Sequence, residues 1–180
     1  MTETIESIET VESCAVPWAS NVATAGAYER LRLLTEHNTI AMVGLSPDPM
    51  RPSHFAAIYM QSHGYDIIPV NPKFAGTEIL GQTVYASLRD IPKDRGVEIV
   101  DVFRRPVDIP PILDEAIAIG AKVFWMQLGI VNDAVASRAR AAGMDVVQNR
   151  CVKIEHARFF GGLNLVGMNT GVITSRRSIA

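Results

Sequence analysis

The residues best suited to chemistry cluster where apolar runs stop. In TIAMVGLSPDP (39–49) the run Ile40–Val43 ends at Gly44, Ser46 follows, and Arg51 and Ser53 stand just beyond. A strand that stops at a glycine, turns and enters a helix near Pro52 aims backbone N–H groups and the positive end of a helix dipole at one spot. That geometry suits an anion. Hydroxyls plus an arginine near a helix start suit a pyrophosphate, and Pro47, Pro49 and Pro52 stiffen the loop, so less ordering entropy is lost on binding. The dinucleotide fingerprint G-x-G-x-x-G would need further glycines where Ser46 and Pro49 stand. The loop therefore points to a phosphorylated ligand more clearly than to NAD.

Other apolar runs end in similar chemistry. The second stops in PVNPK (69–73), placing Asn71 and Lys73 where an NAD-binding sheet carries an acid for the adenosine ribose. A carboxylate there would repel a ribose phosphate, whereas Asn71 with Lys73 tolerates one, which favours a 2′- or 3′-phosphorylated adenosine; the competing reading is a plain Asn-Pro turn with a solvated lysine. The third run ends in FRRP (103–106): Phe103 offers a face for an adenine or an apolar chain, and arginines at 104 and 105 offer forks for phosphate oxygens, one of the two being expected to be simply solvated. The fourth ends in WMQLG (125–129), where Trp125 reads as core, Gln127 as a partner for a ligand amide, and Gly129 as a point of close backbone approach. The fifth is followed by QNRCVKIEH (148–156), with Asn149 and Arg150 at the strand end. Cys151 is either a small buried residue or a thiol near the ligand's reactive end.

Catalytic constellations are poor. His37, His54, His63 and His156 are scattered, and there is no G-x-S-x-G elbow, Walker lysine motif or H-E-x-x-H. Glu155 and His156 are neighbours, but on an extended segment they would point opposite ways. The two cysteines, Cys14 and Cys151, match no metal-site spacing, so no metal is expected.

Elements that place these clusters follow from periodicity. Apolar runs at 40–43, 66–70, 97–103, 122–126 and 144–147 alternate with helical patterns at 28–37, from Pro52 to about Gly64, at 106–119 and at 132–142, the last capped by Asn132 or Asp133 and closed by Gly143. Such alternation implies βαβ units and an α/β fold: a doubly wound, mostly parallel five-stranded sheet that binds ligands beyond the carboxyl ends of its strands. The 180 residues suit one domain, at 26–160, with a flexible acidic segment at 1–25 (Glu3, Glu6, Glu9, Glu12) and an extension at 161–180. A net charge of −2 gives no global reason to bind nucleic acid, no apolar run is long enough for a membrane helix, and the acidic start is unlike a secretory signal, so a cytoplasmic protein is expected.

Taken together, VGLSPDPMRPSH, GYDIIPVNPKFAGTEILGQTVYASLRDIP, VDVFRRP, AIAIGAKVFWMQLGI and AAGMDVVQNRCVKIEH resemble the small stand-alone CoA-binding proteins of bacteria and archaea. These are Rossmann-like domains similar to the CoA-binding domain of the succinyl-CoA synthetase alpha subunit. The resemblance spans roughly residues 28–160. It implies that coenzyme A or an acyl-CoA is held by Gly44, Leu45 and Ser46 with Arg51 and Ser53, by Val70, Asn71, Pro72 and Lys73, by Phe103 and Arg104, and by Gln127, Asn149 and Cys151. The expected protein is a CoA-binding module without an evident catalytic constellation, working alone, as a homodimer or with an unknown partner. The competing functions are an NAD(P)-dependent oxidoreductase and a CoA-ligase-like subunit that needs a second chain.

Overall fold

Residues 24–161 are described in the computed structural model; the segment 1–23, with Cys14 and the acidic stretch, and the tail 162–180 lie outside the described residues. Helix α1 (Ala27–Glu36) leads into β1 (Thr39–Val43), followed by α2 (Pro52–Ser62) and β2 (Asp66–Val70). A small hairpin, β3 (Glu78–Ile79) and β4 (Gln82–Thr83), precedes β5 (Ile99–Val102) and α3 (Ile109–Ala118). Then come β6 (Val123–Met126), α4 (Asp133–Ala141), β7 (Asp145–Val147) and α5 (Val152–Phe160). Five strands form one parallel sheet in the order β2-β1-β5-β6-β7.

Alternation along the strands splits the core into two layers. Ala41, Val43, Ile68, Val100, Val102, Phe124 and Val146 meet Leu113 and Ala116 of α3 and Val135 and Ala139 of α4. Ile40, Met42, Ile67, Ile99, Trp125 and Val147 meet Leu33 of α1, Ala57 and Met60 of α2, and Val152 of α5. Burial on both faces is why the strands read as continuous apolar runs. Pro69 is tolerated inside β2 because β2 is an edge strand of the sheet. Gly64, two residues past α2, has φ 91°, the left-handed backbone of a helix stop. The Asn132 side chain accepts a hydrogen bond from the Val135 N–H and caps α4.

Three features differ from the sequence expectation. The run 97–103 is regular strand only over 99–102, although Glu98 and Phe103 still donate to Thr39 O and Val43 O just beyond its ends. The hairpin is absent from the periodicity because its turn uses Leu80 (φ 53°) and Gly81 (φ 72°), a two-residue turn of positive φ that ordinarily carries Asn-Gly. The residues after β7, expected to be extended, form α5. Its inner face is Val152, Glu155, His156 and Phe159, a helical spacing in which two of the four residues are polar.

Those polar residues are partnered. Glu155, with no exposed surface, accepts from Arg30 Nε at 2.8 Å and ties α5 to α1; Arg158 stands 3.1 Å from the other carboxylate oxygen without hydrogen-bond alignment. Arg30 also donates to the Ala25 carbonyl. Tyr59 of α2 meets His156 Nδ1 at 3.2 Å. Removing one partner of a buried pair leaves a charge without compensation. Arg30→Met is therefore expected to lower the unfolding free energy by about 3 kcal/mol in urea titrations at neutral pH.

Candidate functional site

The strand order reverses between β1 and β5: the chain places β2 on one side of β1 and then crosses to the other. Open α/β sheets bind ligands in the crevice at that switch, outside the carboxyl ends of the strands. Gly44 closes β1 there with φ 93°, and a Cβ on it would lie 2.8 Å from the Phe103 carbonyl oxygen and 2.9 Å from Arg104 Cδ. No side chain fits that space, so the glycine brings the ends of β1 and β5 together. Its N–H donates to Val70 O at 2.8 Å, and the Phe103 N–H donates to Val43 O at 2.9 Å, so all three strand ends are in register.

The loop after β1 is held from both sides. The Ser46 N–H donates to Ser53 Oγ at 3.2 Å, and His54 Nδ1 lies 2.8 Å from Ser46 O, which makes that nitrogen the protonated one. Ser53 and His54 are both buried in the first turn of α2. Asn71 Nδ2 donates to Leu45 O at 2.9 Å, while its Oδ1 accepts from the Lys73 N–H at 3.1 Å. The Asn71 side chain therefore clamps two loops to each other. Leu45 and Val70 are core side chains and offer only backbone to the crevice. Pro72 starts a short 3-10 turn, Pro72–Phe74, and is exposed.

The cations divide into two groups. Arg51 is 3.6 Å from Asp48, and Arg105 pairs with Asp108 at 3.0 Å; both arginines are exposed. Lys73 and Arg104 have no ion-pair partner among the described residues; Lys73 Nζ stands 5.5 Å from the centre of the Phe74 ring. Arg150, half-buried at the end of β7, uses NH1 on the Asn149 carbonyl, and its buried Nε has no hydrogen-bond partner. These three cations flank one sheet edge.

Two further expected contacts are occupied internally. Asn149, at φ 56°, accepts the Gly129 N–H on Oδ1 at 2.8 Å and joins the loops after β6 and β7. Gln127 is buried and donates Nε2 to Asp101 Oδ1 at 2.7 Å. Asp101 is the residue that sequence reasoning missed. It lies in the middle of β5, fully buried, and its Oδ2 has no partner among the described residues. Burial raises its pKa to about 8, with the Gln127 hydrogen bond pulling the other way. The signal was present as the one acid in IVDV, but an apolar run hides it. Trp125, its register partner on β6, donates Nε1 to Arg150 O at 2.7 Å, which links this layer to the turn before α5. Cys151 is half-buried in that turn, and burial also raises its thiol pKa.

A groove of about 880 Å³ lies at the opposite edge, lined by residues before the strands such as His37, Gly96, Glu98 and Lys122. It lacks the glycine junction and the helix start, so the carboxyl edge is the better candidate for an anion.

A parallel sheet with helices on both faces and a crevice at its switch point defines a Rossmann-like α/β domain. The profile of a family described as "CoA binding domain" matches residues 38–157, and the chain belongs to that family. It is 40% identical over 125 residues to the uncharacterized protein YneT of Bacillus subtilis (strain 168), covering 69% of this chain and 90% of that one. Among solved structures it is similar to a Thermus thermophilus protein, cell-free ID.343, at 37% identity and TM-score 0.71, covering 75% of this chain and 99% of that one. It is similarly close to a hypothetical protein from Pyrococcus horikoshii OT3, at 37% identity and TM-score 0.70, with coverage of 77% and 97%. No helix among the described residues is long and apolar enough to cross a membrane.

The buried acid has a consequence for stability. Its folded pKa, about 8, exceeds the ordinary 3.8, so between those values the folded state holds a proton that the unfolded state has lost. Stability from this group is complete below pH 3.8, falls as pH rises, and levels off above about 8. Urea denaturation of wild type and Asp101→Asn should show wild type losing ground with a slope on the order of 1 kcal/mol per pH unit across that window. A difference independent of pH would mean that Asp101 is ionised in the folded protein throughout.

Proposed function

We propose that this chain binds coenzyme A or an acyl-CoA at the carboxyl edge of its sheet. The observation that carries the reading is the pair of cations without ion-pair partners among the described residues, Lys73 and Arg104, flanking the Gly44 junction, with neutral Asn71 in the position where an NAD site places an acid. A phosphoadenosine carrier is polyanionic. It would be held by the backbone at Gly44, Leu45 and Ser46, by the α2 start at Ser53, and by Lys73 and Arg104. The exposed Arg51 is free to exchange Asp48 for a phosphate at little cost, because exposed ion pairs are weak.

The remaining residues fit the other half of such a ligand. Phe103 is half-buried beside the crevice and offers an apolar face, with Val70 and Pro72 bounding the same edge. The orphaned Nε of Arg150 calls for an acceptor, and a carrier rich in carbonyl and phosphate oxygens supplies one. Asn149 and Gln127 act through the loops they fix, and Cys151 stands towards the thiol end. Binding without turnover is the function proposed.

Calorimetric titration tests this directly. Coenzyme A should bind more tightly than NAD or NADP; equal or reversed affinities would overturn the proposal. Lys73→Ala and Arg104→Ala should each weaken CoA binding by about 1–3 kcal/mol, the range for a charged hydrogen bond. No change in either variant would move the phosphate site elsewhere.

A further inference from the structure

Cys151 occupies an unusual position for a packing cysteine. It is the N-cap of α5, with extended backbone (φ −80°, ψ 121°), in the turn directly after the last sheet strand. The backbone N–H groups of Lys153 and Ile154 face its sulfur and favour the thiolate, without completing a cap hydrogen bond. The residue is half-buried and lies in the turn beyond the carboxyl end of β7. A cysteine alone would mean little. The second observation is Asp101, fully buried on the face of β5 that α5 covers, whose Oδ2 has no partner among the described residues and which lies near enough that its ionised form would oppose a Cys151 thiolate. An acid that stays protonated to about pH 8 carries an O–H that no acceptor among the described residues satisfies.

We propose that Cys151 is a covalent attachment point for the thiol end of the carrier, exchanging with a CoA disulfide to leave a Cys151–CoA mixed disulfide seated over Asp101. This rests on the CoA-binding reading above. In the exchange, Cys151–SH and CoA–S–S–R give Cys151–S–S–CoA and R–SH. The Cys151 sulfur forms a bond to the CoA sulfur as the old S–S bond breaks, and the proton lost from Cys151 ends on the departing thiolate. Cys151 and the CoA sulfur share the oxidation the disulfide brought, so no further oxidant is required.

Disulfide exchange fits better than thioester exchange. Attack on a thioester needs donors aimed at a developing oxyanion. Here the helix N–H groups nearest the site face the cysteine sulfur itself. Disulfide exchange needs only a thiolate and access to an S–S bond. Above about pH 8, where Asp101 ionises, its charge opposes that thiolate and slows the thiol towards disulfides that the crevice does not hold in place.

Incubation of the full chain with CoA disulfide, followed by intact-mass and peptide-mass measurement, tests the inference. One CoA should attach, at Cys151 and not at Cys14, and be released by a reducing thiol. Glutathione disulfide, which lacks the phosphoadenosine, should react about tenfold or more slowly, because it gains nothing from bound proximity. Cys151→Ser should abolish the adduct. Asp101→Asn, which removes the opposing charge, should speed adduct formation severalfold at about pH 8.5. An adduct only on Cys14, or none while CoA still binds, would overturn the inference and leave the binding reading standing. An unchanged Asp101→Asn rate would separate Asp101 from the site. Failure of CoA to bind, with both disulfides reacting alike, would remove both readings.

Discussion

The close approach of β1 to β5 at Gly44 is the constraint on which the carboxyl edge depends. A Cβ there would meet the Phe103 carbonyl oxygen at 2.8 Å, and the backbone is left-handed at φ 93°. The two demands coincide at one residue, and only glycine meets both without strain. Because the strand ends are this close, Arg104 lies against the start of the loop that leads to α2. The Val70 carbonyl, accepting from the Gly44 N–H, brings β2 and Asn71 into the same edge. Three loops from three strands thereby meet at one edge, held in register by backbone hydrogen bonds.

Side chains then fix the loops to one another. Asn71 holds Leu45 O and the Lys73 N–H, Ser53 and His54 grip the two sides of Ser46, and Asn149 holds Gly129. Each satisfies a backbone donor or acceptor that a turn would otherwise leave bare. The polar residues nearest the crevice are thus spent on preorganisation. Charge is left to Lys73, Arg104 and Arg150, and an edge whose loops are already ordered loses less entropy when an anion arrives.

Much of this was legible in the sequence. The five strands, the parallel architecture, the Gly64 stop and the Asn132 cap follow from apolar runs and cap residues, because tertiary packing here agrees with local preference. The family likewise follows from motifs at successive strand ends. Two elements were hidden for opposite reasons. The 79–82 turn carries a leucine at positive φ, so it lacks the residue type that announces such a turn. Helix α5 buries Glu155 and His156, whose partners Arg30 and Tyr59 lie far away in the chain, so its inner face does not read as apolar. Residue type pointed to Asn71, Gln127 and Asn149 as polar groups at strand ends, but only coordinates show that each is turned to the protein. Asp101 was missed because four neighbouring apolar residues outvote one acid in any periodicity.

The two buried acids show how differently the fold treats charge at its two layers of function. Glu155 has Arg30 and Arg158 beside it, and its ion pair fastens α1 to α5. Asp101 has only the neutral Gln127, and burial without a countercharge drives it towards the protonated form. A purely structural strand position would be filled at lower cost by valine, as on both sides of it at Val100 and Val102. The acid stands in the central strand, on the face covered by the turn that presents Cys151, at the edge where Lys73 and Arg104 lie without ion-pair partners among the described residues. A buried polar atom left without a partner is a standing cost of order 1–3 kcal/mol. On the proposed reading, that cost belongs to the end of the crevice that would take the carrier's thiol.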